Sequence, residues 1–307
     1  MSYEFIGKVK MNYEFYHGHD VYSDGEIEDE LLSIAMEAKA VNEVIADDTR
    51  WPVLYHYSPI RENIINWYNF EKDTSILEVG AGCGAVTGAL LKNSSVVAVD
   101  LSKKRSLINA YRHRDSDNLE IIVGNFNDII FNRQFNYITL IGVLEYASHY
   151  TVEAQDPYLE FLKKIRRDLK KDGKLIIAIE NKFGLKYWAG AKEDHTGLAF
   201  EGIEGYKNSK NIRTFSKPEL KKMLEHTGYS DIEFFYPYPD YKLPLFIYSD
   251  KRLPKYEELI IADHNFDCES LDIFNEQNVY GELLADGMFD YFSNSFLVVT
   301  TNSGGAA

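Results

Sequence analysis

"ILEVGAGCG", Ile76 to Gly84, is a short apolar run that ends in glycines at alternate positions. With "TGALLKN" (Thr87–Asn93) behind it, the stretch reads as a buried strand that turns sharply into a helix. Gly80, Gly82 and Gly84 permit that tight turn and let a ligand come close to the backbone around Ala81. The same residues with Ala85 satisfy G-x-G-x-x-G/A, the dinucleotide pattern, so the glycines by themselves do not select a ligand.

Outward from this loop the chain alternates. "SVVAVD" (Ser95–Asp100), "LEIIVGN" (Leu119–Asn125), "FNYITLIG" (Phe135–Gly142) and "GKLIIAIE" (Gly173–Glu180) read as further buried strands. Helical periods fill the gaps: "SLINAYRH" (Ser106–His113) and a helix opened by Asp156-Pro157 with Leu159, Leu162, Ile165 and Leu169 on its inner face. The basic cluster from Lys163 to Lys171 fits the solvated outer face of that helix. Alternation of this kind implies an α/β fold, a doubly wound and mostly parallel sheet. Ser216 caps a later helix, and "DIEFFYPYP" with "NSFLVVTT" (Asn294–Thr301) gives a closing strand pair. The expected divisions are an acidic helical segment over 1–50, the core over 51–239, an insertion or substrate cap over 240–293, and a last core strand and tail over 294–307.

The net charge of −15 is concentrated at the two ends. Residues 1–50 hold twelve acids and four bases, and residues 256–307 hold ten acids and no lysine or arginine. Acidic ends of this kind keep a protein soluble and disfavour nucleic acid and anionic membrane as partners. No apolar run is long enough to cross a membrane, and the start lacks a signal-peptide layout. The two cysteines, Cys83 and Cys268, are too few for a disulfide framework or a zinc cluster, so no metal is expected. A cytoplasmic location is the expectation.

Glu78 separates the ligand readings. A carboxylate two residues before the first glycine repels a pyrophosphate and suits a cation, and S-adenosylmethionine carries a sulfonium, an ammonium and no phosphate. Asp100, followed by Leu101, ends the second strand, where an acid holds ribose hydroxyls under either reading. With these residues in order, the chain resembles the class I S-adenosylmethionine-dependent methyltransferases from about Pro52 to Tyr236, plus the last strand. The resemblance implies a seven-stranded Rossmann-like sheet, the cofactor over Glu78, Gly80, Gly82 and Gly84, ribose on Asp100, and adenine framed by Asn125 and Phe126. Asn125 stands where the family usually has Asp. "GVLEY" (Gly142–Tyr146), with Glu145, matches the substrate-facing end of the fourth strand. Tyr57 or Arg61 of the entering segment matches residues that hold the cofactor carboxylate, an outward surface arginine being the alternative.

A narrower resemblance joins "YHYSPIREN" (Tyr55–Asn63), "ENKFGLKYWAGAKEDHTG" (Glu180–Gly197), "YPDYKLPLFIYSD" (Tyr238–Asp250) and "NSFLV" (Asn294–Val298). It is similar to methyltransferases found with bacterial surface-polysaccharide glycosyltransferases, which implies a sugar or glycan acceptor and glycan-assembly enzymes as partners. The run from Asn181 follows the fifth strand, where this fold leaves its ligand crevice. His195 is its candidate base, since an ordinary imidazole titrates near neutral pH, with Asp194 or Glu193 orienting it. An exposed loop histidine is the bland alternative, and His149 after the fourth strand is the rival. Tyr187 and Trp188 are candidates to stack on a sugar ring or to pack in the core. Cys83 reads as a small side chain of the loop, not a nucleophile. The expected activity is O-methylation of a carbohydrate or sugar-derived molecule. Aminopropyl transfer, NAD-dependent oxidation and a non-catalytic cofactor-binding scaffold stay open as alternatives.

Overall fold

The computed structural model describes residues 3–20, 23, 25–150, 155–209, 211–259, 271 and 273–304. Cys268 and part of the expected 240–293 insertion lie outside the described residues. The chain forms two compact units, Met1–Ile141 with Arg167–Leu175, and Gly142–Arg166 with Ile176–Ala307.

The first unit holds β1 (Tyr3–Ile6), β2 (Val9–Asn12), β3 (Thr74–Val79), β4 (Ser94–Asp100), β5 (Leu119–Val123), β6 (Phe135–Ile141) and the start of β7 (Leu169–Glu180). They lie in the order β1-β2-β5-β4-β3-β6-β7. The β2–β5, β5–β4, β4–β3 and β3–β6 pairs are all parallel. Parallel strands are covered on both faces, and Ile76, Leu77, Val96, Ala98, Ile121, Ile138 and Leu140 are accordingly buried. The second unit holds the end of β7, then β10 (Ser295–Asn302), β8 (Tyr229–Tyr238) and β9 (Phe246–Ser249), in the order β7-β10-β8-β9. β8 runs antiparallel to β10, the closing pair expected from the sequence, and β9 antiparallel to β8. The α/β architecture stands, but the described residues form ten strands and not seven. β1, β2 and β9 are the additions, each four residues long and too short to register as a period.

Residues 1–50 are not a separate acidic helical segment. β1 and β2 make an antiparallel hairpin whose second strand extends the parallel sheet. The helices Ile27–Glu37 and Val41–Asp47 bury Leu31, Ala35 and Val44 in one cluster with Val53, Tyr57, Cys83 and Ile108. Each fully buried aliphatic side chain there contributes roughly 1.5–3 kcal/mol. Several acids of the segment have partners. Glu28 accepts from Arg105 Nε at 2.8 Å, and Asp20 accepts from the backbone N–H of Lys103 at 2.8 Å and Lys104 at 3.2 Å. Asp20 thereby satisfies open N–H groups at the start of the helix Lys103–Arg112, where a negative charge is favoured.

The helix Pro157–Asp168 begins as expected, with Asp156 Oδ1 accepting from the N–H of Tyr158 and Leu159. The helix ends at Asp168, so Leu169, Lys170 and Lys171 stand on β7 and not on its faces, and Arg166 also departs from the solvated basic face. Arg166 is buried and donates to Asn302 Oδ1 at 3.0 Å. Ser216 and Glu219 form the reciprocal capping box of the helix Lys217–His226.

Candidate active site

In the first unit the glycine loop leaves β3 beside the end of β4. Gly80, Gly82 and Gly84 all have positive φ, at 72°, 53° and 74°. They are glycines for different reasons. A Cβ on Gly82 meets nothing closer than Arg105 Nη1 at 4.0 Å, so that side of the loop is open. A Cβ on Gly84 meets Asn109 Oδ1 at 2.3 Å, so Gly84 serves helix packing. Gly84→Ala is therefore expected to cost about 1–3 kcal/mol from overpacking, read by urea unfolding; a variant as stable as the parent would show that Asn109 moves freely aside.

The ends of β3 and β4 carry the two acids. Asp100 Oδ2 accepts from Gly82 N–H at 2.7 Å and Oδ1 accepts from Ser102 N–H at 2.9 Å. Burial pushes its carboxyl up, against the pull of Arg105 and these two N–H groups. Each oxygen keeps a lone pair for a further donor. Glu78 is turned elsewhere. It is buried, accepts from Thr87 Oγ1 at 2.6 Å, and burial raises its carboxyl to about 8. That bond ties β3 to the following helix. Beneath the loop, Arg112 donates to the carbonyls of His56 at 2.7 Å and Cys83 at 2.8 Å. Cys83 is buried and its thiol is pushed up to about 12, which makes it inert.

The entering segment divides its roles in the same way. Tyr57 is buried and its hydroxyl donates to Leu31 O at 2.7 Å, so it pins the N-terminal helix and has no hydroxyl to offer a cofactor carboxylate. Arg61 is buried, not an outward surface arginine, and its guanidinium lies 4.4 Å from the Tyr55 ring centroid. Asn125 caps a short turn by accepting from Asn127 N–H at 2.9 Å, with Phe126 buried behind it.

In the second unit a buried polar cluster gathers around His195. Its Nδ1 is 3.0 Å from Glu193 Oε1, and its Nε2 is 3.5 Å from Glu145 Oε1 and 3.8 Å from Glu180 Oε2. Glu193 also accepts from the backbone N–H of His195 at 2.9 Å and Thr196 at 2.8 Å, and from Tyr206 Oη at 3.1 Å. Burial alone pushes the imidazole down, but Glu180, Glu145 and Glu193 overcome it and hold His195 well above its ordinary value. The expected imidazole titrating near neutral pH is thus displaced upward by its carboxylate neighbours. Lys186 is buried between Asp194 and Asp240, at 2.9 Å from an oxygen of each. Lys242 bonds Asp194 and lies 2.8 Å from Glu180 Oε1. Burial pushes Asp194 up, yet Lys186 and Lys242 hold it well below the usual carboxylate range. Asp194 therefore belongs to the lysines and not to His195.

A methyltransferase-domain family model matches residues 56–233, more than half of the chain. The chain belongs to the methyltransferase-domain family. A ubiquinone biosynthesis O-methyltransferase of Rickettsia bellii is 26% identical over 191 residues, covering 59% of this chain and 74% of that protein. An uncharacterized methyltransferase of Staphylococcus carnosus is 34% identical over 104 residues, 33% of this chain and 45% of its own. Among solved structures, phosphoethanolamine N-methyltransferase 2 of Haemonchus contortus, in complex with S-adenosyl-L-methionine, has a TM-score of 0.48 at 15% identity, covering 86% of this chain and 60% of that one.

Within this methyltransferase chain, several candidate substrate contacts have structural duties. Tyr187 is buried and its hydroxyl donates to Asp194, which leaves no face for a sugar ring. Trp188 is 39% exposed and keeps that option. Asn181 is buried, with its amide donating to the carbonyls of Tyr291 at 2.8 Å and Ser293 at 2.9 Å. Such an amide knots two loops and spends both of its N–H groups there. His149 is exposed on the short helix Ala147–Tyr150. Arg112, Glu180, Asp240 and Lys242 were not singled out as site residues from the sequence. For Glu180 a signal existed: a carboxylate ends an otherwise apolar buried strand.

Proposed function

We propose that the protein is an S-adenosylmethionine-dependent O-methyltransferase acting on a hydroxyl of a carbohydrate or sugar-derived molecule. The observation that carries the cofactor reading is the Asp100 carboxylate, held by Gly82 N–H and Ser102 N–H where two adjacent parallel strands end beside an open glycine loop. A carboxylate with lone pairs remaining there suits a ribose diol. Asp100, Gly80, Ala81, Gly82 and Leu101 would hold the nucleoside, and Arg61 the amino-acid carboxylate. When bound, the cofactor supplies a methyl group activated by its sulfonium. The protein's own work is to align the acceptor and remove its proton. We assign that work to the Glu145–Glu180–His195 cluster, with Trp188 as the stacking residue. The name of the Rickettsia relative supports oxygen as the acceptor atom. Glycan-assembly enzymes are the partners this reading favours, in the cytoplasm.

Asp100→Ala should weaken S-adenosylmethionine binding by roughly 1.5–3 kcal/mol, the scale of hydrogen bonds to a charged group. Isothermal titration of the folded variant decides: unchanged affinity removes Asp100 from the ribose site. Titration of the parent with NAD should give no heat, which also tests the oxidoreductase alternative.

A further inference from the structure

We propose that Glu145, Glu180 and His195 form a binding site for one divalent metal ion of the kind that takes mixed carboxylate and imidazole ligands, such as Mn²⁺. Each residue offers one donor atom, and the three donors lie within 4.8 Å of one another. Adjacent donors in a tetrahedral or octahedral shell with bonds of about 2.1 Å are about 3–3.5 Å apart, so the spacing closes onto an ion with small side-chain shifts.

Three further observations point to a ligand here and not merely to an ion-pair network. First, Glu145 Oε2 and Glu180 Oε2 have no hydrogen-bond partner, although the two side chains are fully buried. Lys242 Nζ takes Glu180 Oε1 as an ion pair at 2.8 Å, which leaves Oε2 directed to His195. Buried carboxylate oxygens without donors are costly unless something else coordinates them. Second, the outer shell is already built. Glu193 holds the Nδ1 side of His195 and is itself held by two backbone N–H groups and Tyr206, which also bonds Thr214 at 2.7 Å. A carboxylate on one imidazole nitrogen fixes the tautomer that presents the other nitrogen to a metal. Third, the charges do not balance. The buried carboxylates of Glu145, Glu180, Glu193, Asp194 and Asp240 outnumber the ammonium groups of Lys186 and Lys242 by three, and by two even with an imidazolium. A dication corrects most of that deficit.

In the reading above, the ion would hold the acceptor oxygen and ease its deprotonation. That role rests on the methyltransferase proposal, whereas the binding itself rests only on the second unit. The test is Mn²⁺ titration of the full-length, chelator-stripped protein by calorimetry and by electron paramagnetic resonance. One Mn²⁺ per chain should bind in the micromolar range, with loss of the free-ion spectrum. Glu180→Gln, Glu145→Gln and His195→Ala should each weaken binding by at least about 100-fold and Glu193→Gln by about 10–100-fold, while exposed His226→Ala binds as the parent does. Circular dichroism and a cooperative urea transition for every variant show that it is folded. A free-ion spectrum at 1 mM Mn²⁺, or parental affinity in folded Glu180→Gln, overturns the metal site. Failure of the parent to bind S-adenosylmethionine while still binding Mn²⁺ overturns the cofactor reading alone.

Discussion

Lys186→Ala is expected to destabilise the protein by about 3–5 kcal/mol, the range for breaking a buried ion pair from one side. Lys186 is 2% exposed and bridges Asp194 and Asp240, which are themselves buried. Removing the ammonium leaves two carboxylates in the interior with Lys242 as their nearest remaining cation. Burial by itself would lower the Lys186 pKa, but the two aspartates raise it. Lys186→Met with Asp240→Asn removes charge on both sides and should recover part of the loss, because the penalty arises from unpaired charge and not from lost packing. Urea unfolding monitored by tryptophan fluorescence gives both numbers. A loss below about 1 kcal/mol for Lys186→Ala would mean that water reaches the aspartates and that the cluster is not a dry one.

His195→Ala is expected to slow the methyl step by about 10²–10⁴, the range for losing acid–base help at an acceptor hydroxyl. S-adenosylmethionine affinity should hardly change, because the proposed cofactor contacts all lie in the first unit and His195 in the second. Single-turnover kinetics on the acceptor, once found by mass gain in extracts, separates the two effects. His149→Ala supplies the contrast, since that side chain is exposed. Collapse of the rate with His149→Ala and a parental rate with His195→Ala would move the chemistry to the strand-four loop. An acceptor already anionic would show only a small loss with either.

The parallel core was legible because its signals are local. Apolar runs of strand length around Ile76, Val96, Ile121 and Ile138 alternate with helical periods, and the glycine loop with Asp100 eighteen residues from Gly82 marks the ligand end. The Asp156 and Ser216 caps were equally plain, since each acts on N–H groups two or three residues away. β1, β2 and β9 were not legible. At four residues each, their identity as strands comes from the partner they pair with and not from a period of their own.

Side-chain duties divided along the same line. His195 has two acids beside it in the chain, Glu193 and Asp194, and only the fold shows that its ring nitrogen takes Glu193. Its other carboxylates, Glu145 and Glu180, come from a short turn after β6 and from the end of β7, and their convergence on Nε2 exists only after folding. Tyr57, Asn181, Tyr187 and Glu78 looked available as isolated letters. Each is engaged by a partner, at 26, 110 and 112, 7 and 9 positions away respectively. Sequence by itself determined which backbone segments pair with water and which with apolar neighbours, because periodicity is a property of neighbouring residues. Only the tertiary structure decided which polar groups remain free for a ligand, because a buried donor or acceptor takes whichever partner the fold brings within 3 Å.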